Sequence, residues 1–134
     1  NLGFQLKTVE DLMLTKEKIP FINENSSMIE ALKTITQKKL GTLIARNQKG
    51  NTTGLITDGQ LRRISEKNKT LHGLKVKNVM TKNPINVDKN MLVVKALSIM
   101  NEKKITILCV NKPNKKNKTI GIIHIHNILE DGIN

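Results

Sequence analysis

The chain carries one pattern twice. Met13, Pro20, Ala31-Leu32, Leu40 and Gly54-Leu55-Ile56 recur as Met80, Pro84, Ala96-Leu97, Ile105 and Gly121-Ile122-Ile123. The offsets are 67, 64, 65, 65 and 67, which defines a tandem unit of about 65 residues with small insertions and deletions. A unit of ~60 residues buries only about 60% of the surface its unfolded chain exposes, so each copy alone would be marginal. Two copies in 134 residues are expected to fold as one pseudo-symmetric module with a shared core. A twofold repeat also makes a cleft between its copies, the first place to look for a ligand.

Composition removes several function classes. No apolar run approaches the ~20 residues of a membrane span, and no secretory segment is evident at the start. The lone Cys109 lies in the apolar run Ile107-Leu108-Cys109-Val110 and cannot staple the fold, so a reducing cytoplasm is expected. The net charge is +12, which invites a nucleic-acid reading. That reading is set aside. Only Arg46, Arg62 and Arg63 are arginines, whereas Lys, Asn and Ile make up about two-fifths of the chain, as an AT-rich coding bias produces. Base and phosphate readout favours Arg. Two Phe and no Tyr or Trp leave little for stacking on single strands.

Each copy reads strand, helix, strand, strand, helix. In copy one Ile19–Ile22 is a short strand. Ser27-Met28-Ile29-Glu30 matches a capping box, and Met28, Ala31, Leu32 and Ile35 follow at helical spacing. Lys38 and Lys39 suit the end of that helix. Thr42–Arg46 and Thr53–Ile56 flank the turn residues Asn47–Asn51 as a hairpin. Thr57 or Asp58 then caps a helix bearing Leu61 and Ile64. In copy two Pro84–Val87 is the strand, Asp88 or Asn90 the cap, and Leu92, Val93, Ala96, Leu97 and Met100 the apolar stripe. Ile107–Val110 and Thr119–Ile123 form the hairpin around the Lys-rich turn Lys112–Lys118, read as a solvated loop tip. His126–Leu129 opens the last helix.

Two constellations carry candidate chemistry. A strand ends in Thr57-Asp58-Gly59-Gln60 and feeds straight into a helix, whose free amides and positive dipole end suit an anion. Gln60 sits on the first turn, where its amide can reach a sugar hydroxyl. Both residues also read as plain caps. The matching segment is His124-Ile125-His126-Asn127. His-x-His places both rings on one side of an extended strand, but no third metal ligand lies nearby, so the two histidines read either as neutral imidazoles lining a cleft or as plain structural or surface residues. No P-loop, nucleophile elbow, zinc-protease motif or Cys-His pair is present, so catalytic residues are not expected in this chain.

At these residues the duplicated unit resembles a CBS domain pair, the module named after cystathionine β-synthase. The resemblance rests on Val9-x-x-x-Met13 and Val76-x-x-x-Met80, on the Pro-containing first strand, and on the Gly-apolar-apolar-Thr ending, met in full in copy one and with His124 at the Thr position in copy two. It implies repeats at 9–66 and 76–134 joined by a linker over 67–75. The endings Thr57-Asp58-Gly59-Gln60-Leu61-Arg62-Arg63 and His124-Ile125-His126-Asn127, with Lys104-Ile105-Thr106 and Gly132-Ile133, resemble the C-terminal CBS pair of bacterial arabinose-5-phosphate isomerases. Those enzymes interconvert ribulose 5-phosphate and arabinose 5-phosphate on the route to Kdo, a sugar of lipopolysaccharide. Their catalytic residues lie in an N-terminal sugar-isomerase (SIS) domain, of which residues 1–8 would be the linker tail.

The resemblance implies an α/β (α+β) fold of two β-α-β-β-α copies packed sheet to sheet around a pseudo-twofold axis. It implies a regulatory role with no required cofactor, and self-association as a dimer, or as a tetramer in the parent. Neither nucleic acid nor membrane is expected as a partner. The ligand-binding residues it implies are Pro20, Ile22, Gly41, Thr42, Thr57, Asp58, Gln60, Arg62, Pro84, Ile105, Thr106, His124, His126 and Asn127. Where many CBS pairs place an Asp that holds ribose hydroxyls, this chain has Gln60 and Asn127, amides that both donate and accept. His124 stands at the second Thr position, and Cys109 at a common Pro. These departures favour a sugar nucleotide such as CMP-Kdo over an adenine nucleotide. The rival expectation is a purely structural oligomerisation module with a degenerate site.

Overall fold

Short β-branched runs bounded by Gly, Asn and Pro lay down the strands, and apolar stripes at helical spacing lay down the helices. A computed structural model describes residues 2–68 and 71–133. In chain order the elements are α1 (Leu2–Gln5), α2 (Val9–Leu12), β1 (Phe21–Asn23), α3 (Met28–Lys38), β2 (Thr42–Arg46), β3 (Thr52–Thr57), α4 (Asp58–Asn68), α5 (Val76–Val79), β4 (Thr81–Lys82), β5 (Asn86–Asp88), α6 (Val93–Lys103), β6 (Ile107–Asn111), β7 (Thr119–His124) and α7 (Ile125–Ile133). The fold is mixed α and β, in two compact units. One runs from Pro20 to Pro84; the other joins the residues up to Ile19 to those from Ile85 onward.

The Pro20–Pro84 unit has a sheet in the order β1-β2-β3-β4. β1 is parallel to β2, with Phe21 opposite Ile44, so a crossover is required and α3 supplies it. β2 and β3 form the expected antiparallel hairpin, with Thr42 opposite Thr57. Ser27 Oγ accepts from the Glu30 amide at 3.0 Å, the Ser27 half of the expected capping box. Met28, Ala31 and Ile35 pack with Leu43, Ala45 and Ile56. Leu32, expected in that stripe, is 42% exposed, because the buried arc of an 11-residue helix on a small sheet is narrow.

In the second unit β5 is parallel to β6 and β6 antiparallel to β7, with Ile107 opposite His124. The expected caps of α6 do not form. Leu92 occupies the cap position without a side-chain bond, and Asp88 instead accepts from Asn111 Nδ2 at 2.9 Å. The first amide of α6 is satisfied by backbone from far away: Val93 N–H donates to the Lys7 carbonyl at 2.9 Å. In the Pro20–Pro84 unit the Met28 amide donates likewise to the Leu74 carbonyl at 2.9 Å.

These paired contacts show that the opening segments of the repeats are exchanged. Val9, from copy one, is fully buried among Val87, Val93, Ala96 and Leu108 of copy two. Val76, from copy two, is buried among Met28, Leu43 and Ile56 of copy one. The two Met-Gly matches in the sequence have one physical cause. A Cβ built on Gly54 would lie 2.6 Å from Met80 Sδ and 2.8 Å from the Thr81 carbonyl oxygen. One built on Gly121 would lie 2.5 Å from Met13 Sδ and 3.0 Å from the Leu14 carbonyl oxygen. Only glycine lets each borrowed segment lie against the strand. Gly54→Ala and Gly121→Ala should each destabilise by about 1–3 kcal/mol in urea denaturation. Trimming Met80 to Ala should recover only part of the Gly54→Ala loss, since the Thr81 carbonyl remains.

Candidate ligand-binding site

Strand direction decides which residues meet. In the Pro20–Pro84 unit the parallel strands β1 and β2 start at the same end of the sheet, and β3 finishes there. The Pro20 carbonyl accepts from the Ile44 amide at 2.8 Å, and the Gly41 carbonyl from the Asp58 amide at 2.9 Å. Gly41 has φ +71, a left-handed conformation that favours glycine. Thr42 is buried, 4% exposed, opposite Thr57. Pro20, Gly41, Thr42, Thr57, Asp58 and Gln60 therefore converge on the start of α4.

The second unit repeats the arrangement. The Thr106 carbonyl accepts from the Ile125 amide at 2.8 Å, and the Ile85 carbonyl from the Cys109 amide at 3.1 Å. Ile105, Thr106, His124, His126 and Asn127 gather at the start of α7. Each cluster belongs to its own unit.

Three expected site residues stand elsewhere. Ile22 is a core residue of its sheet, 7% exposed. Arg62 is exposed on α4 and forms a 3.4 Å ion pair with Asp58, also exposed. Pro84 is not the counterpart of Pro20, because the carbonyl bonds match Pro20 to Ile85. Pro84 follows β4, which runs antiparallel to β3 and away from Thr57. The offset of 65 that relates Ala31 to Ala96 and Leu40 to Ile105 also relates Pro20 to Ile85, one residue past the second proline.

Both helix starts are closed by reciprocal caps. Thr57 Oγ1 accepts from the Gln60 amide at 3.2 Å, and Gln60 Oε1 accepts from the Thr57 amide at 2.9 Å, a capping box with Gln in the third helical position. Gln60 Nε2 donates to Thr81 Oγ1 at 3.0 Å. Thr81 lies in a strand of two residues, too short to leave a sequence signal. In the other unit Asn127 Oδ1 accepts from the His124 amide at 3.0 Å, and His124 Nδ1 accepts from the His126 amide at 3.1 Å. His124 thus does the work of Thr57, with Nδ1 as the acceptor in place of a hydroxyl.

The two imidazoles stack with centroids 4.8 Å apart and an interplanar angle of 22°. Burial, and then the charge of His126, push the His124 pKa below its usual value. Among the described residues no three His, Cys, Asp or Glu side chains group as a metal site. Burial pushes the Cys109 thiol up to about 11, against a smaller lowering from its bond with Thr119, so it is no nucleophile at neutral pH. No helix among the described residues is long and apolar enough to cross a membrane.

Two duplicated β-α-β-β-α patterns, each ending in a capped helix start, place the chain in a family. A CBS domain profile matches residues 9–67 and 76–132, and the chain belongs to the CBS domain family as a tandem pair. Such a pair is a regulatory module rather than a catalytic one. The chain is 34% identical over 128 residues to arabinose 5-phosphate isomerase KdsD of Yersinia pestis, matching 96% of this chain and 38% of that protein. It is 32% identical over 132 residues to an uncharacterized protein of Rickettsia prowazekii, covering 98% of this chain and 40% of that one. The chain therefore spans about two-fifths of the length of these relatives. Its fold matches that of CBSX2, a CBS-pair protein of Arabidopsis thaliana. The CBSX2 structure in complex with AMP superposes with a TM-score of 0.83 at 23% identity, over 94% of this chain and 96% of that one.

The cap at His124 fixes a pH dependence. Protonating Nδ1 removes the acceptor for the His126 amide and puts a cation at the positive end of a helix. Burial, and then the charge of His126, hold the folded-state pKa below the unfolded value of about 6.5, so the neutral ring's contribution is intact above that value. Stability should fall as pH drops from about 6.5 towards the folded pKa, and the slope should flatten below it. His124→Thr, which installs the copy-one cap, should remove this part of the slope in urea melts across that range.

Proposed function

We propose that this chain is the ligand-sensing module of a sugar-phosphate isomerase that interconverts arabinose 5-phosphate and ribulose 5-phosphate in the Kdo and lipopolysaccharide pathway. Its ligand, on this reading, is an anionic sugar nucleotide such as CMP-Kdo. The similarity to arabinose 5-phosphate isomerases supports the parent activity. The catalytic SIS domain would occupy the part of those relatives that this chain does not span, and the parent would work in the cytoplasm as a CBS-mediated dimer or tetramer.

The observation that carries the ligand class is the state of the two amides. A carboxylate at position 60 or 127 could cap its helix with one oxygen and accept from a ribose hydroxyl with the other. An amide has one oxygen, and both Gln60 Oε1 and Asn127 Oδ1 already accept from backbone. What faces a ligand is then mainly N–H donors, one left on Gln60 Nε2 after its bond to Thr81 Oγ1 and two on Asn127 Nδ2, beside the positive end of a helix, which suits phosphate or carboxylate oxygens better than a ribose diol. Binding would act by linkage: the ligand shifts the attached catalytic domain only by its differential affinity for two arrangements of the module.

A thermal-shift series with CMP-Kdo, CMP, AMP, ATP and arabinose 5-phosphate tests this reading. CMP-Kdo at a hundredfold over its dissociation constant should add about 2.7 kcal/mol, while AMP shifts the wild-type chain little. Asn127→Asp should reverse the preference by raising the AMP response and weakening that to CMP-Kdo. A chain that self-associates yet responds to none of these compounds would instead be a structural oligomerisation module with a degenerate site.

A further inference from the structure

The two copies diverge most at the hairpin end of their sheets. In the Pro20–Pro84 unit β1 and β2 finish side by side at Asn23 and Arg46. The Arg46 guanidinium lies over the Phe21 ring, 3.8 Å from its centroid. Among the described residues no carboxylate pairs with Arg46, so an aromatic face rather than an acid holds it in place. An arginine stacked in this way keeps its planar fork of donors for an oxyanion.

Two open grooves meet beside it. One, of about 340 Å³, is lined by Phe21, Asn23, Arg46 and Gln48 among others. The next, of about 440 Å³, is lined by Asn23, Asn25, Ser26 and Gln48. They share Asn23 and Gln48, so three side-chain amides and a hydroxyl continue the surface that begins at the guanidinium.

Copy two serves as an internal control. At the offset of 65, Phe21, Asn23 and Arg46 correspond to Asn86, Asp88 and Asn111. Asn111 is 1% exposed, and its Nδ2 donates to Asp88 Oδ1 at 2.9 Å and to the Lys112 carbonyl at 2.8 Å. Ser26 is replaced by Met91. The same backbone position is thus closed by its own polar groups in copy two. In copy one it is left open and cationic, so the arrangement is not a requirement of the hairpin.

We propose that this groove binds an anionic sugar, with Arg46 gripping its phosphate or carboxylate and Asn23, Asn25, Ser26 and Gln48 contacting its hydroxyls. Asn25, Gln48 and Ser26 both donate and accept, as sugar hydroxyls require, while Asn23, whose Oδ1 accepts from the Asn25 amide at 2.7 Å, contributes N–H donors. A neutral sugar leaves Arg46 unpaired, and a bare anion leaves the amides unused. The groove lies at the Arg46 end of β2 and the capped helix start at the Thr42 end. At ~3.3 Å per residue the two ends are roughly 13 Å apart, so this site is separate from the one proposed above and stands without it.

The test is a titration of the 15N-labelled chain followed by NMR, with ribose 5-phosphate and glucuronate as probes and ribose and inorganic phosphate as controls. The two probes distinguish a phosphate from a carboxylate head. At least one should move the side-chain signals of Asn23, Asn25, Gln48 and Arg46 saturably, at least about tenfold tighter than either control, with the amides of Thr57, Gln60, His124 and Asn127 unmoved. Arg46→Gln should abolish that margin. Gln48→Ala, an exposed position, should weaken binding several-fold with an unchanged melting curve. The proposal fails if neither probe gives saturable shifts at millimolar concentration, if inorganic phosphate binds as tightly as ribose 5-phosphate, or if Arg46→Gln binds like the wild type. Shifts confined to Thr57, Gln60 and the His124 segment would likewise overturn it, while supporting a ligand at the capped helices.

Discussion

Each strand that follows a hairpin turn is pressed against a methionine from the opposite repeat. Met80 lies where a Cβ of Gly54 would stand, and Met13 where a Cβ of Gly121 would stand. The contact leaves no room for any side chain at the glycine, and it ties the start of one copy to the sheet of the other. The backbone bonds Leu14 N–H to the Ile122 carbonyl, at 2.8 Å, and Val76 N–H to the Ser26 carbonyl, at 2.8 Å, secure the same exchange. A repeat of about 65 residues is too small to be comfortably stable. Exchange lets each apolar cluster draw on both copies, because Val9 and Val76 fill places that their own repeats do not offer them.

That exchange also fixes the boundaries of the units. The family profile follows the repeat, 9–67 and 76–132, whereas the compact units divide the described chain at Ile19, Pro20, Pro84 and Ile85. The repeat records how the gene was duplicated, and the units record which residues share a core. Cutting between residues 68 and 75 would leave each half without the valine and methionine it needs.

Much of this was legible from residue types. β2 spans Thr42–Arg46 as expected, because the apolar run Leu43-Ile44-Ala45 sits between a left-handed glycine and an Asx turn in which Asn47 Oδ1 accepts from the Lys49 and Asn51 amides. The helix after Thr57 was equally plain. The four-residue helices α2 and α5 were not, since a single turn has no period to detect. The cap of α6 was misassigned because its first amide is satisfied by Lys7, 86 positions earlier, and no local pattern reports a partner that distant. The candidate site was half legible. Thr57, Gln60, His124 and Asn127 stand at the two helix starts, but a capping box and a ligand-contacting pair use the same residues at the same spacing. Only the bonds show that the amide oxygens already face the backbone.

The substitutions at the two helix starts make chemical sense once the cap is seen as the first obligation of the site. A helix start with unpaired amides costs stability, so whatever replaces Thr must still accept a bond. His124 does so through Nδ1, which in the neutral ring leaves Nε2–H as a donor. Gln60 and Asn127 meet the return bond with their only oxygen. An imidazole where the other copy has a hydroxyl, with amides at the return positions, keeps both caps and leaves N–H donors beside them. On the function proposed above, such a site would favour ligands that present oxyanions over ligands that present hydroxyls. The fold accommodates both versions, because the amides of Thr57 and Gln60 in one unit and of His124 and His126 in the other are each paired by the cap.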